Sequence, residues 1–408
     1  MNAKKIRAVY FHLSVTLILY GFISLNISNL QTPFGSEEGR YVDSVDSYSE
    51  GIVRNKVIDD FENSGKSSDG FLVTHPDFDK KDYSYKKEGN LTYLSQFGLQ
   101  GRVDSMIAKS FQVDTPAESE HLFKVLRELN AFLLSATLAL FVTAVAKEFG
   151  FWQALLVGLS FCVTNGIILF AKNLYWVAFT DFLPFCVFWL FYPKMRNRHL
   201  LVSVTAVGLM LFKSLNGYEF LTSITLSMLV PIIYYEFKDG KGFRFILLKS
   251  AYFLCLCVVG FLFALATHLV AASWHIGSFG EAVKIVWARI VERNLTYIPL
   301  PVMRYLKQNV YTLPLVNRGL GFYWIVLLMV VFYPIYKHVN RYKFTGIDLL
   351  LVCSLVSTMS WFVFGFQHIA WHYWVFYLTV NLCFLPIVTL FFADLIVSKV
   401  KIPAPIVV

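Results

Sequence analysis

Long apolar runs separated by short polar stretches dominate the chain. A helix that crosses the hydrocarbon core of a bilayer needs about 20 residues. Ten runs are of roughly that length, the shortest being the fifth, and they lie at 9–30, 126–146, 151–171, 175–192, 199–214, 218–235, 245–272, 319–336, 346–366 and 373–395. The pattern predicts an all-α polytopic membrane protein with about ten transmembrane helices.

Composition supports a membrane protein. Of the 408 residues, 56% are hydrophobic and only 15% charged, which is far from the composition of a soluble domain. The first apolar run follows MNAKKIR, and no small-residue cleavage site comes after it. We therefore expect an uncleaved signal-anchor helix at 9–30.

The charges are segregated along the chain. Between Ser36 and His121 there are 17 acidic and 10 basic residues, so this segment is net −7 and the remainder of the chain net +16. With the first residues in the cytoplasm, one alternating topology places every basic cluster on the cytoplasmic side, as the positive-inside rule expects: KKIR, Lys147, KMRNR, KDGKGFR, KHVNRYK and SKVK. Both termini are then cytoplasmic, and the basic balance does not indicate nucleic acid.

Two long polar segments fall on the opposite, extracytoplasmic face. The first, 31–125, is long enough for a small cap over the membrane helices. The second, 273–318, contains GEAVKIVWARIVERN at 280–294, whose apolar residues share one helical face, as in a helix that lies in the membrane interface. We expect one integral membrane domain, 1–408, that carries these two extracytoplasmic loops.

Carboxylates follow the first apolar run immediately, beginning with Glu37 and Glu38. Such a segment is typical of a solvated stretch beside the membrane. Alternatively, a carboxylate at this depth is placed to act as a general base that deprotonates an acceptor hydroxyl beside a lipid-borne leaving group. Composition alone leaves both interpretations open.

The sequence EEGRY at 37–41 resembles the DExRY signature of polyprenyl-phosphate-dependent glycosyltransferases of the GT-C fold, which include aminoarabinose and protein O-mannosyl transferases. The resemblance implies a GT-C-like bundle, a base at Glu37 or the neighbouring Glu38, and substrate contacts from Arg40 and Tyr41. Glu stands where the family more often has Asp, so the choice between the two glutamates stays open. A K-P-P motif of aminoarabinose transferases is absent, so that substrate is not implied.

A second candidate group consists of basic residues on the extracytoplasmic face, where the positive-inside rule expects few of them. The loop 273–318 has six basic and two acidic residues. These cations could contact lipid headgroups, or they could hold the phosphate of a lipid carrier and stabilise it as it departs. The predicted phosphate-binding residues are Arg289, Arg293, Arg304, Lys307, Lys172 and Lys213.

Three further residues on that face are ionisable. Glu219 is either half of an ion pair, with Lys213 as a plausible partner, or a carboxylate that binds a sugar. His368 and His372 share a helical face in QHIAWHYW, which favours an aromatic interfacial belt or hydrogen bonds to a phosphate or sugar. A metal is disfavoured because no HExxH glutamate accompanies them, and no cofactor is expected.

Together these features predict a glycosyltransferase of the bacterial inner membrane with an extracytoplasmic active site. It would move a monosaccharide from a polyprenyl-phosphate donor to a glycan or glycolipid acceptor of the envelope, among membrane lipids. The alternatives are a polysaccharide polymerase of the O-antigen type and a transporter or flippase of lipid-linked glycans. A transporter would place ionisable residues at the membrane midplane, whereas here they gather at one face.

Overall fold

The computed structural model describes residues 3–25, 46–62, 70–74, 91–113, 115–162, 164–294, 333, 335, 339, 344–364 and 376–400. Most of these residues are helical. In chain order the elements are α1 (Ala3–Ser24), α2 (Ser47–Glu62), β1 (Leu72–Thr74), β2 (Leu91–Tyr93), α3 (Leu99–Ser110), α4 (Pro116–Glu148), α5 (Phe151–Cys162), α6 (Asn165–Ala171), α7 (Phe179–Met195), α8 (His199–Asn216), α9 (Leu221–Lys238), α10 (Phe243–Ile276), α11 (Phe279–Asn294) and α12 (Gly346–Phe364). The last helix, α13, combines α-helical Phe376–Thr379, a π-helical turn over Val380–Phe384 and α-helical Leu385–Val400.

Several helices are suited to a membrane. Two shorter apolar helices, Phe151–Cys162 and Gly346–Trp361, accompany five that are long and apolar enough to cross a bilayer. Those five candidate spans, within the described residues, are Ile6–Ser24, Ala117–Glu148, His199–Asn216, Phe243–Ile276 and Val380–Ser398. The predicted helical character is confirmed, and the candidate spans suggest a membrane-embedded protein, while the number of ten spans stays a prediction.

The helices follow the apolar runs closely, with one difference. Helices occupy nine of the ten runs in whole or in part. Nearly all of the remaining run, 319–336, lies outside the described residues. The run 151–171 is not one helix, because α5 ends at Cys162 and α6 begins at Asn165. The polar triplet Thr164, Asn165 and Gly166 inside this run explains the break, since such residues favour turns.

The helix ends gather at two opposite ends of the bundle. At one end Lys172, which follows α6, pairs with Glu128 in the first half of α4, and Ser24 at the end of α1 binds the same carboxylate. At the other end Glu148, where α4 stops, pairs with Lys238, where α9 stops. We call the first the cap end, because α2, β1, β2 and α3 pack there, and the second the basic end.

The cap is attached to the bundle by polar contacts. Asp46 accepts a hydrogen bond from the indole nitrogen of Trp176 at 2.9 Å, in the turn between α6 and α7. Glu50 in α2 pairs with Arg127 in α4. Ser24 and Asp46, the one near the end of α1 and the other just before α2, therefore both lie at the cap end.

A small hairpin, which the sequence did not predict, joins the cap. Strands β1 and β2 are antiparallel, with Leu72 opposite Tyr93. The side chain of Leu72 lies against α3, so that a Cβ atom at Gly98 would come within 2.7 Å of its Cγ atom. Gly98 also has a φ of +68°, in the left-handed region that favours glycine. Glycine at this position thus permits the close approach of hairpin and helix.

The bundle core is aromatic and closely packed. Trp189 of α7 contacts Phe141 of α4 at 5.6 Å and Tyr234 of α9 at 5.4 Å between ring centroids. Helices α8 and α10 approach even more closely at Gly260, where an added Cβ would lie 2.6 Å from the carbonyl oxygen of Val207. Small residues allow such approaches between membrane helices, where packing rather than water drives association.

Candidate functional site

A pocket of about 200 Å³ opens at the cap end. Its walls come from the turn between α8 and α9, from α10, α11 and α12, and from the stretch before α3. The lining residues are Ser95, Tyr218, Glu219, Leu221, Thr222, Phe261, Leu265, Val286, Arg289, Ile290, Trp361 and Phe364. Two residues predicted from sequence, Glu219 and Arg289, therefore line one pocket although they belong to different elements.

The turn that carries Glu219 is tightly constrained. A Cβ atom at Gly217 would clash with the carboxylate of Glu219 and lie 3.2 Å from the side-chain oxygen of Gln96. Glycine at this position therefore leaves room for the carboxylate to fold back against the protein. Glu219 is only 5% exposed, and its carboxylate accepts a hydrogen bond from the hydroxyl of Tyr175 at 3.2 Å.

Two turns beside the pocket hold strained backbone. Val177 has a φ of 42° and Phe220 a φ of 61°, both in the left-handed region. Such conformations cost of order 1–3 kcal/mol each for bulky residues and persist where packing enforces them. Phe220 stacks on Trp176 at 5.7 Å and meets the edge of Trp361 at 5.3 Å. Strain of this kind is concentrated at functional sites, and here it borders the pocket.

A buried ion pair lies near the carboxylate of the pocket. Lys213 of α8 and Asp181 of α7 approach to 2.7 Å, and both side chains are almost fully buried. Glu219 is close enough to Asp181 for the two charges to repel. Three ionisable groups from three neighbouring parts of the bundle thus form one cluster with a formal charge of −1.

Arg289 supplies the cation of the pocket. Helix α11 packs against α10 through Ala282 and Val286, which are buried. Arg289 lies one turn beyond Val286, so the packing of α11 brings its side chain to the pocket wall. Trp287, on the outer side of the same helix, is exposed, as expected where a helix meets lipid.

Aromatic rings form the remaining walls. Tyr218 donates to or accepts from the Nδ1 atom of His268 at 2.9 Å and meets Phe261 edge to face at 5.8 Å. Burial raises the pKa of Tyr218, and the charge of Glu219 adds to this effect. Tyr218 therefore remains a neutral phenol. The pocket combines one carboxylate, one guanidinium and flat aromatic surfaces.

Two further predicted cations, Lys172 and Lys213, have carboxylate partners. Lys172 lies 2.5 Å from Glu128, which also accepts from Tyr20 at 3.1 Å. Lys213 pairs with Asp181, as described above. Both lysines thus hold the cap end together, and of the predicted phosphate-binding residues only Arg289 is described as lining the pocket.

Several predicted residues cannot be placed in this arrangement. Those that lie outside the described residues are Glu37, Glu38, Arg40, Tyr41, Arg304, Lys307, His368 and His372. Arg293 belongs to α11, but its side chain is likewise outside the described part. The roles given to these residues stay predictions.

Some residues at the cap end were not predicted from the sequence. Gln96 is fully buried and accepts from Tyr175 at 3.3 Å, yet in sequence it is one polar residue in a loop. Glu128 offered a clearer signal, because a carboxylate within a helix of apolar composition is expensive without a partner. Trp361 gave no sign of lining a pocket, since aromatic residues are abundant throughout the chain.

Comparisons of the chain with models of protein families, with curated proteins and with solved structures find no match.

Proposed function

We propose that the protein is a membrane glycosyltransferase that moves a monosaccharide from a polyprenyl-phosphate donor to a glycan or lipid-linked acceptor. The observation that carries the proposal is the pocket at the cap end, where Glu219 and Arg289 meet between aromatic walls. Pockets for drug-sized ligands measure roughly 300–1,000 Å³. A pocket of about 200 Å³ favours a smaller group, such as one sugar ring.

Each wall of the pocket suits one part of such a donor. The guanidinium of Arg289 can bind two phosphate oxygens at once and stabilise the charge that develops on them as the sugar leaves. The carboxylate of Glu219 can accept hydrogen bonds from sugar hydroxyls. Tyr218 and Trp361 offer the aromatic faces on which sugar rings commonly pack.

The base is assigned to Glu37 or Glu38 on the resemblance of EEGRY to the family signature. In the reaction, the acceptor hydroxyl oxygen attacks the anomeric carbon, and the bond from that carbon to the phosphate oxygen breaks. The polyprenyl phosphate leaves with the bonding electrons, and the hydroxyl proton passes to the carboxylate. Asp46 is anchored beside Trp176, whose neighbour Tyr175 binds Glu219. Glu38 lies eight positions before Asp46 in the chain, so the distance between these two residues is at most roughly 28 Å.

The two ends of the bundle support the proposed orientation of the protein in the membrane. Lys147, Arg196, Lys238 and Lys249 lie at the basic end, which the positive-inside rule assigns to the cytoplasm. The cap end then faces the extracytoplasmic side of the bacterial inner membrane, where envelope glycans are assembled. A pocket at this end supports a transferase over a transporter.

The test is transfer of sugar from defined polyprenyl-phosphate donors by the purified protein in nanodiscs. We expect Arg289→Ala and Glu219→Gln each to lower kcat/KM by about 100-fold or more, since each removes a charged contact to the donor. Lys284→Ala is the matched control, because Lys284 lies on α11, is 74% exposed and pairs with Glu281. Its activity should stay within twofold of the wild type.

Two outcomes would reject parts of the proposal. Full activity of Arg289→Ala would remove the pocket from the reaction. Full activity of a Glu37→Gln, Glu38→Gln double variant would remove these carboxylates from the role of base. A long-chain product from lipid-linked repeat units would instead identify a polymerase.

A further inference from the structure

A second concave surface lies on the outside of α10, away from the pocket. It is a groove of about 750 Å³ between α10 and the start of α3. The α10 side is a single stripe at helical spacing that includes Phe263, Thr267, Val270 and Trp274. From Phe263 to Trp274 the stripe covers about 16 Å of helix, which is comparable with a stretch of lipid acyl chain.

The α10 stripe is exposed and apolar. Trp274 is 82% exposed, Phe263 57% and Val270 44%. Because α10 is one of the helices long and apolar enough to cross a bilayer, a surface of this composition is covered by lipid. The composition and location of this surface thus favour a lipid rather than a second protein as the occupant of the groove.

One charged residue, Arg102, lines this groove among the side chains described there. Its guanidinium lies 4.1 Å from the ring centroid of Phe97 and 5.3 Å from that of Phe71. Phe71 is fully buried against Ala272 and Ala282. The guanidinium is therefore held between two fixed rings, and its plane cannot rotate freely.

Part of the hydrogen-bonding capacity of Arg102 is unused within the described residues. Within the described part of the chain, Nε and Nη2 are buried and donate to no acceptor. These two N–H groups form one edge of the guanidinium, the edge that binds two oxygens of a phosphate side by side. A buried donor without an acceptor is costly. Burial lowers the pKa of Arg102, although the charge of Asp60 opposes this effect.

The adjoining helix α3 has the composition of a helix that contacts a membrane surface. Val103, Met106 and Phe111 are exposed along one side of it, and Lys109 is 59% exposed. Apolar side chains next to a cation are typical of a helix that lies in the membrane interface. This places Arg102 at the depth of lipid headgroups.

We propose that the groove between α3 and α10 is a binding site for an anionic phospholipid of the bilayer. Its phosphate pairs with the guanidinium of Arg102 where this side chain lines the groove, and one acyl chain lies along the α10 stripe. The bound lipid fastens the cap to α10. This inference is independent of the sugar-transfer reaction, since it uses none of the pocket residues.

The experiment measures lipid binding to the full-length protein in detergent by native mass spectrometry, with phosphatidylglycerol and phosphatidylcholine as probes. We expect wild-type protein to retain phosphatidylglycerol selectively. Arg102→Met should weaken its apparent affinity by roughly 10- to 100-fold, because a hydrogen-bonded ion pair is lost. Lys109→Met, on the same helix, should change it less than threefold.

One more variant and one competitor complete the test. Ala271→Trp fills the groove and keeps Arg102, so it should weaken binding as Arg102→Met does, which covers the case that the arginine variant fails to fold. Unchanged selectivity in both variants, or an equal loss in Lys109→Met, would overturn the proposal. Polyprenyl phosphate at equal concentration should not displace phosphatidylglycerol. Displacement would show that the groove serves the reaction instead.

Discussion

The two ends of the bundle use the same residue types for different purposes. At the basic end Glu148, Glu236 and Asp239 each pair with a cation. The two glutamates also accept a hydrogen bond from a tyrosine. Glu236 accepts from Tyr192 and Lys249, both at 2.6 Å, and Glu148 accepts from Tyr234 at 2.8 Å and pairs with Lys238.

The described part of the cap end has strained backbone and polar groups that lack partners. Its described residues include strained turns at Val177 and Phe220, an open pocket, and Arg102, two of whose buried nitrogens have no hydrogen-bond acceptor. Proteins keep such departures from local stability mainly where they have a function. The difference supports our proposal that the cap end carries the chemistry, while the basic end stabilises the bundle.

The largest effect on stability is expected from the buried pair at the cap end. Lys213→Met leaves the carboxylate of Asp181 buried without its cation, and breaking a buried pair in this way costs about 3–5 kcal/mol. Thermal unfolding in detergent micelles, followed by tryptophan fluorescence, measures the change.

A double variant, Lys213→Met with Asp181→Leu, is the matched control. It removes both charges, so it should recover most of the loss. If the single and double variants were equally unstable, packing rather than charge would explain the effect, and the contrast between the two ends would lose its electrostatic basis.

A smaller, pH-dependent effect is expected from Asp104 in the cap. Burial, together with the charge of Glu50, raises the pKa of Asp104 to about 8. The folded protein therefore prefers the protonated carboxyl, and its stability should fall as the pH rises from about 4 through about 8. Asp104→Asn keeps a neutral side chain, so we expect it to stabilise the protein by roughly 2 kcal/mol more at pH 9 than at pH 5, after allowing for the partial exposure of Asp104.

Melting curves of the wild type and of Asp104→Asn at both pH values check this prediction. Asp239→Asn at the basic end is the control, because Asp239 is paired with Arg196. Equal behaviour of Asp104→Asn at pH 5 and pH 9 would show that this carboxyl is ionised throughout, and that the cap is as well compensated as the basic end.

The apolar pattern of the sequence was enough to locate the long apolar helices, but not α2 and α3 of the cap. The run 245–272 corresponds to α10, which spans Phe243–Ile276, since spanning length and composition are properties of a single segment. The sequence also indicated that Glu219 and Arg289 belong to one face of the membrane. Both line the pocket.

Pairings between distant segments could not be predicted in the same way. Lys213 was expected near Glu219, six residues along the chain, but the ion pair described is with Asp181 on a neighbouring helix. Trp176 binds Asp46, 130 residues earlier. Such contacts depend on how the helices pack. A single sequence does not contain that information.

The smallest effect is expected from the exposed pair at the basic end. Arg196 and Asp239 form an ion pair, with side chains 27% and 33% exposed. Exposed pairs contribute about 0.2–1 kcal/mol and are screened by salt. Arg196→Ala should therefore lower the melting temperature only slightly, with a smaller change at high salt, and should leave sugar transfer unchanged. A loss as large as that of Lys213→Met would mean that both ends depend on their ion pairs equally, and that burial does not separate them.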